Sequence, residues 1–430
     1  MHPPASPATA TSDDFPLSRG HLLAMISAIM ALTAVAIDLM LPAFDEIRDT
    51  FGLRDGSADT GRVVTYFFFG LAVAHLAYGP LTDRFGRKRV LYLGMTIYVI
   101  GAIGSAVAPT FGLLLASRFV WGVGAAGARV VATAIVRDRF EGEVMAKAMS
   151  QIMAVFVLVP VFAPALGAGI VAVLPWQAAF WFCVLFAAAV GFWSLRMPET
   201  LDPERRRPLS VGSTGRGFVE VARTRVTGGY TIASVFLQGI MTVYLATSEA
   251  VISDIFGRRG QFPVIFGAVA AGFGLAALVN GRLVQRFGVD RVVAGGFAWM
   301  VSLSALLVVE TLGSGEPDFW LFMPTLALLL ASFMFLMPNL NSAAMDPVGH
   351  LAGTASALTG AVRLAGGAAL GTVISSQVTD SVRPFAVGIS VMVGAAGLTV
   401  LIVRLRERRR TRGVATPVGA ATPTVLATQR

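Results

Sequence analysis

Apolar residues run together in blocks of about twenty from residue 21 nearly to the end of the chain. A block of that length crosses about 30 Å of hydrocarbon as a helix, and only a helix or a closed barrel satisfies its backbone there. The blocks fall at 21–44, 62–82, 90–108, 111–136, 147–171, 175–196, 227–250, 262–284, 291–311, 319–341, 351–375 and 384–404, with breaks at Pro109 and Pro175 between close neighbours. The pattern predicts an all-α integral membrane protein with twelve transmembrane helices.

The chain also repeats itself. Gly79 to Arg89 reads Gly-Pro-Leu-Thr-Asp-Arg-Phe-Gly-Arg-Lys-Arg directly after an apolar block. At an offset of 202 residues, Asp83-Arg84-Phe85-Gly86 is echoed by Gln285-Arg286-Phe287-Gly288, and Arg291 stands where Arg89 stood. A cationic glycine turn repeated at half the chain's length implies two homologous, pseudo-symmetric six-helix bundles. Helical membrane proteins of two halves are mostly transporters, because a site between rocking halves opens to either side.

Charge gives the topology. Of 34 Lys and Arg, six (Arg48, Arg54, Arg62, Arg258, Arg259 and Arg383) fall on one side, and three (Arg118, Arg129 and Arg363) lie within blocks. The remaining 25 share the other side with both termini, which the positive-inside rule makes cytoplasmic. The expected organisation is a disordered tail at 1–18, bundles at 19–196 and 227–405, a basic linker loop at 197–226 with Arg205-Arg206-Arg207, and a tail at 406–430. That basic run reads as a topology determinant and lipid-surface contact. Charged residues are only 14% of the chain, against about 25% in soluble proteins. The net charge of +9 is spread over short loops, which argues against nucleic acid as a partner. No cleavable signal peptide is seen, so the first block reads as an uncleaved anchor. The single Cys183 excludes a disulfide or zinc framework and reads as a buried thiol.

Charges inside the blocks are the candidate chemistry, since each is expensive in hydrocarbon. Asp38, past the middle of the first block, can take up and release a proton there, a carrier whose charge is linked to substrate occupancy. Arg118 and Arg129 stand eleven residues apart, about 20° around a helix and about 16 Å along it. That places them on one stripe with Gly122 and Ala125. Arg363 is the deepest charge of the second half, and His75 is a candidate proton shuttle. Tyr66, Gln238 and Tyr244 can offer hydrogen bonds and ring surface to a substrate. Three Arg against one Asp favour neutral or anionic cargo. Glu249 and Glu310 fall near outer helix ends, where exposure is expected. The turn of Gly79, Asp83, Arg84, Gly86, Arg87 and Arg89, with Arg286 and Gly288 in the second copy, can act as a charge latch across the junction of the halves. Pro160, Pro164 and Gly167 predict a bent, close-packed fifth span. No metal-spaced His pair, phosphate loop or nucleophile elbow is present, so an enzyme is not expected, no cofactor or metal is implied, and energy would come from an ion gradient.

These residues resemble the major facilitator superfamily, and within it the drug:proton antiporters of the bicyclomycin- and chloramphenicol-resistance (Bcr/CflA) group, over about residues 20–405. Asp38-Leu39-Met40-Leu41-Pro42-Ala43 looks like that group's first-span segment, and Tyr78 to Arg89 like the superfamily loop motif. Arg118 to Gly124 with Val136-Arg137-Asp138, Ala163 to Ala168, and Ala352 to Ala357 are similar to the motifs of spans four, five and eleven. Trp121 stands where Gln is usual, Ala163 and Ala168 where Gly is common, His75 where Gln or Gly is frequent, and Arg129 where a small residue is usual. The resemblance implies an MFS fold, a place for Arg118 near the proton site, a latch that closes on the cytoplasmic side when the cavity opens outward, and a fifth-span seam that resists proton leak. It further implies proton-coupled multidrug efflux of small-molecule drugs from a bacterial plasma membrane, with protons and the lipid bilayer as the other partners, and a monomer is the default expectation. An exporter of an endogenous metabolite, siderophore or self-made antibiotic shares the pattern. A non-transporting membrane sensor is the alternative of another class.

Overall fold

The computed structural model describes residues 17–54, 58–206, 211–313 and 316–414. The expected tails, over 1–16 and from 415 onward, and Arg207 of the linker lie outside the described residues.

The described residues are helices joined by short connections and contain no strand. The first half contains α1 (Arg19–Asp38), α2 (Phe44–Thr50), α3 (Arg62–Phe85), α4 (Arg87–Ala106), α5 (Phe111–Arg139), α6 (Gly142–Val171) and α7 (Gln177–Ser194). A linker helix α8 (Val211–Arg223) leads to α9 (Arg225–Ala250), α10 (Phe262–Phe287), α11 (Val289–Glu310), α12 (Phe319–Met345), α13 (Ala352–Ser375) and α14 (Arg383–Val414). Among the described residues, eleven stretches are long and apolar enough to span a membrane. The longest, Phe319–Ser375, is the two helices α12 and α13 around a 3₁₀ segment, Asp346–Leu351, which makes twelve crossings.

Local chemistry sets the boundaries. Ser18, Thr110 and Asp318 cap α1, α5 and α12 by accepting hydrogen bonds from backbone N–H groups. Pro42 cannot continue α1, so the first crossing turns through a 3₁₀ segment, Leu41–Ala43, and resumes as α2, further than the expected end at residue 44. The repeated loop is the clearest internal symmetry. Gly86 ends α3 and starts α4 with φ +91° and ψ 161°, and Gly288 joins α10 to α11 with φ +78° and ψ 158°. Side chains essentially never adopt that conformation, so both copies need glycine.

Two expectations change. The linker is not a plain loop: α8 buries Val221 against Val348 and Ala355 of the second half. Residues 406–414, expected to belong to the tail, continue α14.

The halves meet along paired seams. In one, Thr372 Oγ1 of α13 donates to Thr65 Oγ1 of α3 at 3.1 Å, and Gly360 packs against His75. In the other, α6 meets α10, where a Cβ on Gly267 would come within 2.9 Å of the Val161 carbonyl oxygen. Small residues let backbones approach where no apolar driving force exists between helices. Below, the basic face is the end carrying Arg84 to Arg89, and the far face is the opposite end.

Candidate functional site

Asp38 ends α1 at the interface between the halves. It is 4% exposed, and no hydrogen-bond or ion-pair partner meets its carboxylate among the described residues. A buried acid without a partner is costly and is retained where it has work to do. Tyr244 of α9, in the opposite half, lies within electrostatic reach of it. The Tyr244 ring stacks on Phe266 at 5.4 Å, while its hydroxyl is buried without a partner. Two orphan polar groups, one from each half, thus share a region. Gly167 of α6 supports it from behind: a Cβ there would overlap the Leu39 carbonyl, next in sequence to Asp38.

Arg118 is fully buried but makes no ion pair with Asp38. Its Nη1 donates to the Ala36 carbonyl at 3.0 Å and its Nε to the Val63 carbonyl at 3.2 Å. Its guanidinium stands 4.6 Å from the ring centroids of both Phe67 and Trp121. Trp121 centres an aromatic cluster, edge-on to Tyr98, Phe180 and Phe67 at 5.3, 5.6 and 6.3 Å. The ring that stands in place of the usual Gln therefore clamps Arg118 onto carbonyls of α1 and α3, and holds the backbone two residues before Asp38.

Arg129 and Arg363 come together around His75. Both guanidiniums act electrostatically on its imidazole, although they come from α5 in one half and α13 in the other. At 1.5 Å per residue, Arg129 and His75 lie about 15 Å, and Arg363 about 17 Å, from the basic ends of their helices, near mid-membrane. Arg363 Nη1 donates to Gln238 Oε1 at 3.4 Å, and Arg129 lies over the Phe156 ring at 5.7 Å. His75 Nδ1 is 2.8 Å from the Leu71 carbonyl, an acceptor, so Nδ1 carries the proton and Nε2 is left for other partners. All three basic side chains are half-buried. Tyr244 is six residues beyond Gln238 on α9, about 9 Å toward the far face. The buried polar groups between the halves thus lie at two levels: a basic one at mid-membrane and an acidic one nearer the far face.

Tyr66 does not join them. It is 39% exposed on the face of α3 that also carries Val73, and His75, nine residues on, points half a turn away. The outward face of α3 takes a large ring as readily as the inner one, and sequence alone gives no sign of the difference.

The latch also differs from expectation. Arg87 pairs with Asp83 and with Asp138, each at 2.8 Å, and Glu199 accepts from the Arg87 and Lys88 backbone N–H groups at 2.8 and 3.1 Å. Asp83, Arg87, Lys88 and Asp138 belong to the first half and Glu199 to the start of the linker, so Asp83 pairs within its own bundle and does not bridge the halves here. Arg84, Arg89, Arg286 and Gly288 are exposed on the basic face, and a Cβ on Gly79 would meet open space. Pro160 and Pro164 lie inside α6 as expected.

What does bridge the halves was missed. Arg48 of α2 pairs with Asp45 at 2.6 Å, and across the interface with Glu249 at 3.3 Å and Asp254 at 3.2 Å. Arg259 reaches back to Asp45 at 2.9 Å and holds Asp254 at 3.1 Å. Glu249, expected to be solvated, is 3% exposed, and Glu310 is half-buried with Thr325 donating to it at 3.1 Å. A signal existed. With a 202-residue repeat, residues i and i + 202 near the pseudo-twofold axis face each other, and Arg48 and Glu249 are 201 apart. The clamp ties the two halves together at the far face.

Two six-helix halves, packed on paired seams around buried polar groups and clamped together at one end, define a membrane transporter and not an enzyme. Residues 23–372 match the family model described as Major Facilitator Superfamily, and the chain belongs to that family. It is 29% identical over 397 residues to a bicyclomycin resistance protein homolog of Haemophilus influenzae, covering 89% of this chain and 96% of that one. It is 28% identical over 364 residues to multidrug resistance protein D of Escherichia coli, covering 81% and 87%. Among solved structures, a D-xylose-proton symporter superposes with a TM-score of 0.69 at 13% identity, covering 88% of this chain and 97% of that one. The last likeness concerns the fold.

Proposed function

We propose that the chain is a proton-driven exporter of small amphiphilic drugs, neutral or anionic, in a bacterial plasma membrane, with the basic face and both termini in the cytoplasm. The observation that carries this reading is Asp38: a membrane-buried carboxylate without a partner, at the interface of the halves, beside an orphan hydroxyl of the opposite half. Its proton is loaded when the pocket opens to the far face and released when the pocket opens to the basic face. Drug then enters the same pocket, and competition between proton and drug enforces exchange. Arg118 holds the α1 backbone in register beside the carboxylate, and Asp83 exchanges its pairing with Arg87 for a contact on the second half when the basic face closes. The bicyclomycin- and multidrug-resistance relatives support the drug class. The bundles at 19–196 and 227–405 act as the two rocking bodies of a single monomer.

The test is a resistance panel in a host stripped of its own efflux pumps, with and without an uncoupler. The expected result is resistance to phenicol- or bicyclomycin-like compounds that collapses when the proton gradient is dissipated. Resistance that survives the uncoupler overturns proton coupling. Unchanged susceptibility across the panel turns the reading to export of a cellular metabolite.

A further inference from the structure

We propose that Arg129 and Arg363, one from each half, form a recognition point for an anionic group, so that the preferred cargo is an amphiphilic organic anion such as an aryl carboxylate or sulfonate. This rests on the pocket being the substrate site of the exporter proposed above and names the substrate class.

Four observations converge. First, Gly360, one turn before Arg363 on α13, packs against the His75 ring, and both guanidiniums lie within electrostatic range of that imidazole from matching depths of α5 and α13. Second, neither has a carboxylate within ion-pair distance among the described residues, whereas the buried Arg48 and Arg87 each have at least two. Like charges drawn together in a low-dielectric interior are destabilising unless an anion joins them. Third, both side chains are only half-buried, while Arg118, on the stripe of α5 that carries Arg129, is sealed in aromatic rings and carbonyls. Arg118 is thereby structural, and its two partners in charge are free to bind. Fourth, their neighbours complete a site. Gln238 accepts from Arg363 through its oxygen, which leaves its amide N–H groups as further donors. Phe156 beside Arg129 offers a ring face to an apolar body.

The arrangement selects by charge and geometry. A guanidinium presents planar, paired donors that match a carboxylate or sulfonate, and charge-assisted hydrogen bonds are about twice as strong as neutral ones. A quaternary ammonium meets two like charges. An anion held by both Arg touches both halves at once, a contact that exists only while the halves are close around it and so couples occupancy to conformation.

The test is equilibrium binding to the purified full-length chain in detergent, with no gradient present. The probes are a naphthoate, the matching naphthamide and a naphthylmethyl-trimethylammonium. The expected result is that naphthoate binds about tenfold or more tighter than naphthamide and that the cation binds weakest. Arg363→Gln and Arg129→Gln each weaken naphthoate by about tenfold to a hundredfold, the size of one lost charge-assisted contact, and leave naphthamide within about threefold. Retained naphthamide binding also shows that the variants are folded. Arg363→Lys keeps most of the preference. Equal affinity of naphthoate and naphthamide in the unsubstituted protein, or equal loss of both in the Gln variants, overturns the proposal. Gradient-driven efflux of a neutral drug is scored separately. Its absence beside intact charge selectivity sinks the exporter reading alone, and its presence beside no selectivity sinks the anion site alone.

Discussion

Replacing Arg48 by Gln should open the far face. Arg48 is 4% exposed and makes three ion pairs at 2.6, 3.2 and 3.3 Å, two of them across the halves. Removing one partner of a buried pair costs about 3–5 kcal/mol, because the other charge stays behind without compensation. Here the stranded group is Glu249, at 3% exposure. Asp45 and Asp254 retain Arg259, which is largely solvent-exposed, so the lower end of that range applies. About 3 kcal/mol shifts the closed-to-open ratio of this face by about a hundredfold. Glu249→Gln leaves Arg48 paired with Asp45 and Asp254 and loses one charge-assisted bond, for a shift of about tenfold. The assay is pulsed electron-electron resonance between spin labels on cysteines at the exposed positions Asp49 and Gly260, one in each half. Cys183 is 1% exposed, and a control without added cysteines checks that it stays unlabelled. A single short distance should give way to a second, longer population in Arg48→Gln, with Glu249→Gln intermediate. Identical distance distributions in all three proteins would refute the reasoning, since the clamp would then not be what holds this face shut.

Gly167→Val places side-chain atoms against the Leu39 carbonyl and should abolish efflux and lower the melting temperature, whereas Gly169→Ala, with open space at its Cβ, should leave both unchanged. Gly86→Ala and Gly288→Ala each force a side chain into φ +91° or +78°, at about 1–3 kcal/mol. Gly86→Ala should be the worse in a thermal melt, because its Cβ also meets Glu199 while that of Gly288 meets nothing. Tyr244→Phe removes a hydroxyl without a partner and keeps the stack on Phe266. It should melt within about 0.5 kcal/mol of the parent, yet lose several-fold in efflux rate if the hydroxyl serves Asp38 during transport.

The fold was legible because the constraints that write it are local and repetitive. Spans are read from runs of apolar residues that must hide a helical backbone from lipid. The paired Gly86 and Gly288 turns are read from an offset, since only glycine holds that backbone conformation. The charges in hydrocarbon, Asp38, Arg118, Arg129 and Arg363, stand out because each is expensive. Their grouping did not follow from the pattern: one stripe of α5 carries both Arg118 and Arg129, but Trp121 and Phe67 seal the first and leave the second open. Tyr66 was misjudged because amphipathic faces vanish in a membrane, where outward and inward residues are equally apolar. The far-face clamp was missed because helix-end charges such as Glu249 read as solvated unless the pseudo-twofold repeat is used to bring Arg48 opposite. The linker helix α8 was missed because its Gly and Arg content hides a single apolar stripe.

Substrate movement against its own gradient, in vesicles reconstituted with Asp38→Asn beside the parent protein, bears most directly on the central claim. Under an imposed pH difference the parent should accumulate a neutral drug uphill. The variant, folded and inserted, should lose uphill movement entirely while still exchanging drug for drug. Uphill accumulation by Asp38→Asn at the parent's rate, or by the parent with no ion gradient, would contradict it.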